Sequence, residues 1–259
     1  EQGIGVKDAP YVENAMIISG FNYLDDITEF NDGMFQIQDI SSMLAGVIAA
    51  PKENDKVIDV CAAPGGKSIF AALSMKGTGC VISRDVSDRK TEQIRENAER
   101  LGLDNIAVQT VDATLHIAQD EESADIVLAD LPCSGLGIIG RKPDIKYNVT
   151  KEKIAGIVAL QREILDSVCS YVKHGGYIVY STCTLNPKEN EENVRYIADK
   201  GFVPEDITDM LPKALLEDAK KAGKGIYDKL LEDAEGGMLT LIPGVYECDG
   251  FFVAKLKRV

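Results

Sequence analysis

Residues 57–68 run VIDVCAAPGGKS: a short apolar run ending in a cysteine, a turn of small residues with two glycines, then Lys67 and Ser68 opening a second apolar stretch. A run of strand length, a small-residue turn and a helix from Ser68 to Met75 make up the opening unit of a parallel α/β sheet. The alternation continues downstream. Further strands are expected at Cys80–Ser83, Ile106–Val108, Asp125–Ala129 and Gly176–Tyr180. One helix should start near Ser87 or Asp88 and stop at Leu101, where Gly102 fits a C-terminal cap. Another carries Ile154, Ile157, Val158, Ile164, Leu165, Val168 and Val172 at helical spacing. Met238–Ile242 and Phe251–Leu256 flank Pro243–Gly250 as a closing antiparallel hairpin. Upstream, Pro51–Asp55 is a polar break, and Ile40–Ala50 reads as an apolar helix capped by Ser41 or Ser42. The expected fold is therefore α/β, with a mostly parallel sheet and a C-terminal antiparallel hairpin.

Composition narrows the function classes. The chain has 259 residues, enough to bury a core without disulfides or metal. Lys and Arg number 28 against 42 Asp and Glu, a net charge of −14 that argues against a whole-surface grip on nucleic acid but leaves room for a local basic groove. The sequence has no apolar run long enough to span a bilayer and no basic-then-apolar signal pattern, so the expected compartment is the cytoplasm. The six cysteines include no C-x-x-C pair, and the two histidines, His116 and His174, lack ligand-like spacing. No metal site is expected. A Ser-His-Asp hydrolase is disfavoured because neither histidine has a nucleophile elbow to serve. The chain opens at Glu1 rather than Met, which points to a fragment.

In a doubly wound sheet, ligands sit outside the carboxyl ends of the strands. Those ends carry Cys61, Ala62, Ala63, Pro64, Gly65, Gly66 and Lys67, then Asp85, Asp112, Asp130-Leu-Pro-Cys133-Ser134 and Ser181-Thr-Cys183. The first turn fits neither common phosphate template: Cys61 stands where a P-loop needs glycine, and the three spaced glycines of a dinucleotide fingerprint are missing. A small-residue turn opening a helix can still hold a carboxylate on its N–H groups. Asp85, 19 residues after Gly66, is spaced to accept from ribose hydroxyls. Asp112 could meet an adenine edge. Each piece alone could be a tight turn or a helix cap, but an adenosyl-plus-amino-acid ligand without phosphates suits the set. S-adenosylmethionine is such a ligand.

The fourth and fifth strands are expected to be neighbours, so Cys133 and Cys183 should face one pocket. The 5-carbon of a pyrimidine is too weak a nucleophile to take a methyl group unaided. A thiolate adding to the adjacent 6-carbon makes an enamine that can. Loss of the 5-proton and expulsion of the thiol then call for an assisting group. Two cysteines and an acid, Asp130, meet that demand. Spacing leaves open which thiol does which task. The other four cysteines, Cys61, Cys80, Cys169 and Cys248, read as inert.

Three strings carry a family resemblance: VIDVCAAPGGKS (57–68), LADLPCSGLGIIGRKPDIKY (128–147) and YIVYSTCTLNPKENEENV (177–194). They resemble motifs one, four and six of the Nop/Sun family of RNA 5-methylcytosine methyltransferases, and LIPGVYECDGFFVAKLK (241–257) resembles that family's C-terminal end. GRKPDIKY (140–147) and FQIQDISSML (35–44) look most like the bacterial Sun/Fmu branch, which modifies small-subunit ribosomal RNA. The resemblance spans about residues 30–259. It implies a Rossmann-like methyltransferase fold that binds S-adenosylmethionine through Cys61–Lys67, Asp85, Asp112 and Asp130. It further implies Cys183 as nucleophile and Cys133 as the residue aiding product release. The implied reaction is methylation of RNA cytosine by a monomer whose partner is RNA, with ribosomal RNA as substrate and no membrane. That branch carries an N-terminal NusB-like RNA-binding domain. Residues 1–44 are accordingly expected to be the remnant of such a region, and 45–259 the catalytic domain. Arg141, Lys142 and Lys146 are the candidate phosphate contacts beside the pocket. A catalytically idle RNA-binding or ribosome-assembly module with the same fold is the rival reading.

Overall fold

The computed structural model describes residues 3–259; Glu1 and Gln2 of the leading segment lie outside the described residues. Gly5–Asp8 (β1) and Met16–Ser19 (β2) pair as an antiparallel hairpin apart from the main sheet. A short helix, Thr28–Asn31 (α1), precedes the apolar helix Ile40–Ala49 (α2). The cap of α2 is not a serine. Asp39 accepts the Ser41 amide at 2.9 Å and the Ser41 hydroxyl at 2.5 Å, so the carboxylate one residue upstream does the capping.

The α/β alternation follows as Lys56–Asp59 (β3), Gly66–Ser74 (α3), Cys80–Asp85 (β4), Asp88–Arg100 (α4), Ile106–Thr110 (β5) and Ala124–Asp130 (β6). The second half comprises Ile145–Asn148 (α5), Lys151–Val168 (α6), Val172–Thr182 (β7), Glu191–Ala198 (α7) and Phe202–Pro204 (β8). Lys213–Ala222 (α8), Lys224–Glu235 (α9), Met238–Leu241 (β9) and Phe251–Arg258 (β10) close the chain. The strand order is β5-β4-β3-β6-β7-β10-β8. All pairs from β5 to β7 are parallel, and β10 runs antiparallel to β7, β8 and β9. The expected closing hairpin is present: Phe251 to Ala254 pair with Leu241 to Met238. Its second strand also enters the main sheet beside β7, while β8 and β9 share its outer edge.

Side-chain alternation splits the core into two layers. Val57, Ile126, Leu128 and Val179 face α2 and α3, whereas Ile58, Val127, Ile178 and Tyr180 face α6 and α7. The fifth parallel strand is twice as long as its regular stretch suggests. Between Ala124↔Val172 and Ile126↔Tyr177 the register advances two residues on β6 and five on β7, a bulge at the glycine pair Gly175-Gly176. Lys255, buried on β10, donates to the Ile48 carbonyl at 2.9 Å and the Ala49 carbonyl at 3.3 Å, closing the C-terminus of α2.

Asp59 ends β3 wholly buried. Its Oδ2 accepts from the Ser68 hydroxyl at 2.7 Å, which itself receives the Ser83 hydroxyl at 2.7 Å. Its Oδ1 has no partner. Burial pushes this carboxyl from 3.8 up to about 7. Because the folded value lies above the unfolded one, the stabilisation is full below about pH 4 and is lost as pH rises through 7. Asp59→Asn should remove that dependence. In denaturant titrations, the advantage of Asn over Asp is expected to grow by a few kcal/mol between pH 5 and pH 8. An equal shift at both pH values would refute the assignment.

Candidate active site

The strand order reverses between β3 and β6, so the crevice at their carboxyl ends is the topological switch point. The turn after β3 holds Cys61 to Gly66 and includes a cis Ala63–Pro64 bond. Gly65 has φ +108°, a conformation that glycine adopts without the strain a side chain would meet. Gly65 precedes α3 without any side-chain cap, so the first amides of the helix are left for a ligand. Asp85, buried at the end of β4, accepts from the Ala63 and Val86 amides at 3.1 and 2.8 Å and from Lys90 at 2.9 Å. It thereby braces the turn. Asp112 lies exposed beyond β5, and its carboxyl is held below the usual range by the backbone and hydroxyl of Thr114. Cys61 is half-buried, and burial beside Asp59 and Asp85 pushes its thiol up, which keeps it neutral.

Asp130 ends β6 opposite Ser181 of β7, as the register Asp130↔Ser181 requires. Its Oδ1 accepts from the Ser181 hydroxyl at 2.7 Å and its Oδ2 from Lys67 Nζ at 2.7 Å. Lys67 also donates to the Ser42 hydroxyl at 2.7 Å, and Gln38 donates to that same oxygen at 3.0 Å. Lys67 therefore turns out of the small-residue loop toward the fourth-strand acid. Ser42, which Lys67 holds, and Gln38, which donates to Ser42, were not legible as site residues, because their positions carry no chemistry until the sheet is assembled.

The two cysteines meet. Cys133 Sγ and Cys183 Sγ are 3.1 Å apart on adjacent strand ends. The hydrogen bond from Cys133 lowers the Cys183 thiol below its ordinary value, against the effect of burial. The same bond and burial raise Cys133. The direction of these shifts favours Cys183 as the thiolate of the pair.

Behind the thiols lies a buried polar network. Glu189, fully enclosed, accepts from the Ser134 amide (2.8 Å), the Ser134 hydroxyl (2.6 Å) and the Asn186 amide group (2.8 Å). Ser134 and Thr184, the residues following each cysteine, share a hydrogen bond of 2.8 Å. Gln161 of α6 donates to the Pro132 carbonyl at 2.8 Å. A second brace runs through Gly137, whose amide donates to the Cys183 carbonyl at 2.9 Å and whose carbonyl accepts from Gly250 at 2.9 Å. A Cβ on Gly137 would sit 2.1 Å from the Gly250 oxygen, so no other residue fits there.

Arg141 pairs with Asp39 and, at 2.8 Å, with Asp249, which ties the fourth-motif loop to the residues preceding α2 and β10, while its side chain stays exposed. Lys142 and Lys146 remain exposed. Burial pushes Cys169 and Cys248 up to about 12, in keeping with inert thiols. Among the described residues no helix is long and apolar enough to cross a membrane, and no three His, Cys, Asp or Glu side chains gather as a metal site. An open pocket of about 410 Å³ between α4 and β5, lined by Arg95, Glu99 and Leu103, includes none of the strand-end residues.

A parallel sheet reversed between β3 and β6, with an antiparallel strand beside β7, is the fold of the Rossmann-like methyltransferases. The chain belongs to a particular family within that class: the model described as 16S rRNA methyltransferase RsmB/F matches residues 46–257. It is 36% identical over 263 residues to the probable ribosomal RNA small subunit methyltransferase B of Bacillus subtilis, covering 99% of this chain and 55% of that protein. It is also 36% identical to ribosomal RNA small subunit methyltransferase F of Escherichia coli O6:H1, covering 91% and 47%. The crystal structure of NSun6 from Pyrococcus horikoshii with SFG superposes with a TM-score of 0.73 at 29% identity, covering 92% of this chain and 57% of that one. The chain spans about half the length of the curated relatives it matches.

Proposed function

We propose that this chain transfers a methyl group from S-adenosylmethionine to the 5-position of a cytosine in RNA, through a covalent adduct with Cys183. The observation that carries this reading is the pair of thiols 3.1 Å apart, next to the Lys67–Asp130 pair. An amino-group methyltransferase has no use for two thiols in contact. Family membership favours small-subunit ribosomal RNA as substrate, since both bacterial relatives bear that name.

The residues fit the cofactor. The uncapped start of α3 at Gly65–Gly66 suits its carboxylate, Asp85 its ribose hydroxyls and Asp112 its adenine, with Cys61, Ala62, Ala63 and Pro64 leaving room and Lys67 and Asp130 closing the side toward the thiols. When bound, S-adenosylmethionine supplies an electrophilic methyl group on a sulfonium. The protein supplies the rest. Cys183 sulfur bonds to the 6-carbon, and the pair from the 5,6 double bond becomes available at the 5-carbon. Asp130, fixed by Lys67 and Ser181, is the acid beside the base. Release needs the 5-proton to pass to solvent water and the carbon–sulfur bond to break, the carbon–hydrogen pair restoring the double bond and the carbon–sulfur pair leaving on the Cys183 sulfur. Cys133, already bonded to the departing sulfur, stabilises it as it leaves. The cytosine must be unstacked to reach the pocket.

The test is transfer of labelled methyl from S-adenosylmethionine to unmodified small-subunit ribosomal RNA, followed by digestion to nucleosides. Labelled 5-methylcytidine is the expected product. Absence of label combined with absence of S-adenosylmethionine binding by calorimetry would overturn the reading.

A further inference from the structure

We infer that Tyr147 and the lysines around it form a docking platform for RNA, on which a base flanking the target nucleotide stacks. This rests on the RNA substrate proposed above. Tyr147 is 78% exposed, more than any other large apolar side chain among the described residues. Lys146 Nζ lies 4.8 Å from the centroid of its ring, covering one face and leaving the other to solvent. An aromatic face that is open and backed by a cation is the arrangement that holds unpaired bases without regard to sequence.

The surroundings are unusual for this chain. Against a net charge of −14, residues 141–153 carry five basic side chains and two acidic ones. Arg141 is paired with Asp39 and Asp249. Lys142 and Lys151 are exposed and make no ion pair among the described residues, and Lys153 Nζ holds the Asn148 carbonyl at 2.7 Å. A polyanion repelled by the rest of the surface finds its local attraction here.

The platform also packs against the loop that carries Cys133. Ile145 Cδ1 lies 3.0 Å from the point where a side chain on Gly135 would begin, two residues beyond Cys133. Arg141 pins the start of the segment, and the α5 turn is closed by the Tyr147 amide donating to the Asp144 carbonyl at 3.0 Å. A base held on Tyr147 is therefore held by the same loop that carries Cys133.

The experiment compares equilibrium binding of a small-subunit ribosomal RNA transcript to wild type, Tyr147→Ala, Tyr147→Phe and the double variant Lys142→Gln/Lys146→Gln across a salt series. Tyr147→Ala is expected to weaken binding roughly ten- to hundredfold, with Tyr147→Phe close to wild type. The double lysine variant should flatten the slope of log affinity against log salt by roughly one to two. Calorimetry with S-adenosylmethionine serves as the folding control and should read the same in all four. Wild-type affinity in Tyr147→Ala would overturn the inference, as would an equal loss in Tyr147→Phe or a wild type that retains no transcript at low salt. Failure of the methylation reading has a different signature: wild-type chain that binds the transcript through Tyr147 and forms no 5-methylcytidine.

Discussion

Methyl transfer by Cys183→Ala is expected to fall by about 10⁴-fold or more, to background, whereas Cys133→Ala should stop after addition and retain the RNA covalently. The asymmetry follows from the two thiols' environments. They touch across 3.1 Å, and the contact lowers Cys183 while contact and burial raise Cys133, so Cys183 is the thiol favoured to attack and Cys133 the group placed to support its departure. Denaturing gel electrophoresis reads the difference: Cys133→Ala should give a shifted protein–RNA band, and Cys183→Ala only free RNA. Free RNA from both variants would remove Cys133 from the release step. The pH dependence supplies a second reading without RNA. Alkylation of Cys183 requires the thiolate, so its rate rises with pH through the Cys183 pKa, which lies below the ordinary thiol value. Cys133→Ala removes the hydrogen bond that causes most of that depression. Its alkylation midpoint should therefore move to higher pH, and an unchanged midpoint would mean that the contact does not tune the nucleophile.

The sequence was most legible where chemistry and periodicity coincide. The strands ending at Asp59, Asp85 and Asp130 are apolar runs bounded by small or acidic residues, and the sheet assembles them side by side as parallel strands. Cys133 and Cys183 could be placed on neighbouring strand ends because parallel topology leaves few alternatives. The order of their roles could not be read, since it depends on one hydrogen bond and on relative burial. Nor did periodicity reveal the β1–β2 hairpin, whose residues are mostly exposed and carry no apolar alternation. The leading segment contributes Tyr11 and Val12 to the core, with the Tyr11 hydroxyl donating to Asp218 at 2.7 Å, a contact spanning 207 positions that no local pattern encodes. The ion pairs of Arg141 were likewise hidden, because a basic loop beside a pocket reads first as a phosphate contact. The two carboxylates that claim it, Asp39 and Asp249, come from opposite ends of the chain. Glu189 was passed over for the same reason: in sequence it is one acid among several in KENEE (188–192), and only folding buries it between the two cysteine loops.

Glu189→Ala is expected to produce the largest loss among residues that never touch the substrate. The carboxyl group is fully enclosed and accepts three hydrogen bonds, two from Ser134 and one from Asn186. Alanine leaves the Ser134 amide, the Ser134 hydroxyl and the Asn186 amide group to find other partners in a site closed to water, at about 1–3 kcal/mol for each that fails. A stability loss of several kcal/mol should appear in denaturant titration. The activity loss should exceed it in kind. Ser134 adjoins Cys133, and its hydroxyl bridges to Thr184, which adjoins Cys183, so relaxing this network lets the two loops separate. A displacement of about 1 Å costs on the order of 10²-fold in rate. Glu189→Gln keeps the volume and one oxygen but turns an N–H toward a donor, so it should fall between alanine and wild type. Two measurements below the melting temperature distinguish misplacement from simple unfolding. S-adenosylmethionine binding should persist in Glu189→Ala, because the Cys61–Gly66 turn and Asp85 share no hydrogen bond with Glu189. Oxidation by diamide should join Cys133 to Cys183 quickly in the wild type and slowly in the variant, since bond formation needs the sulfurs to meet. Equal rates of disulfide formation in a folded Glu189→Ala protein would show that the thiols keep their places without Glu189.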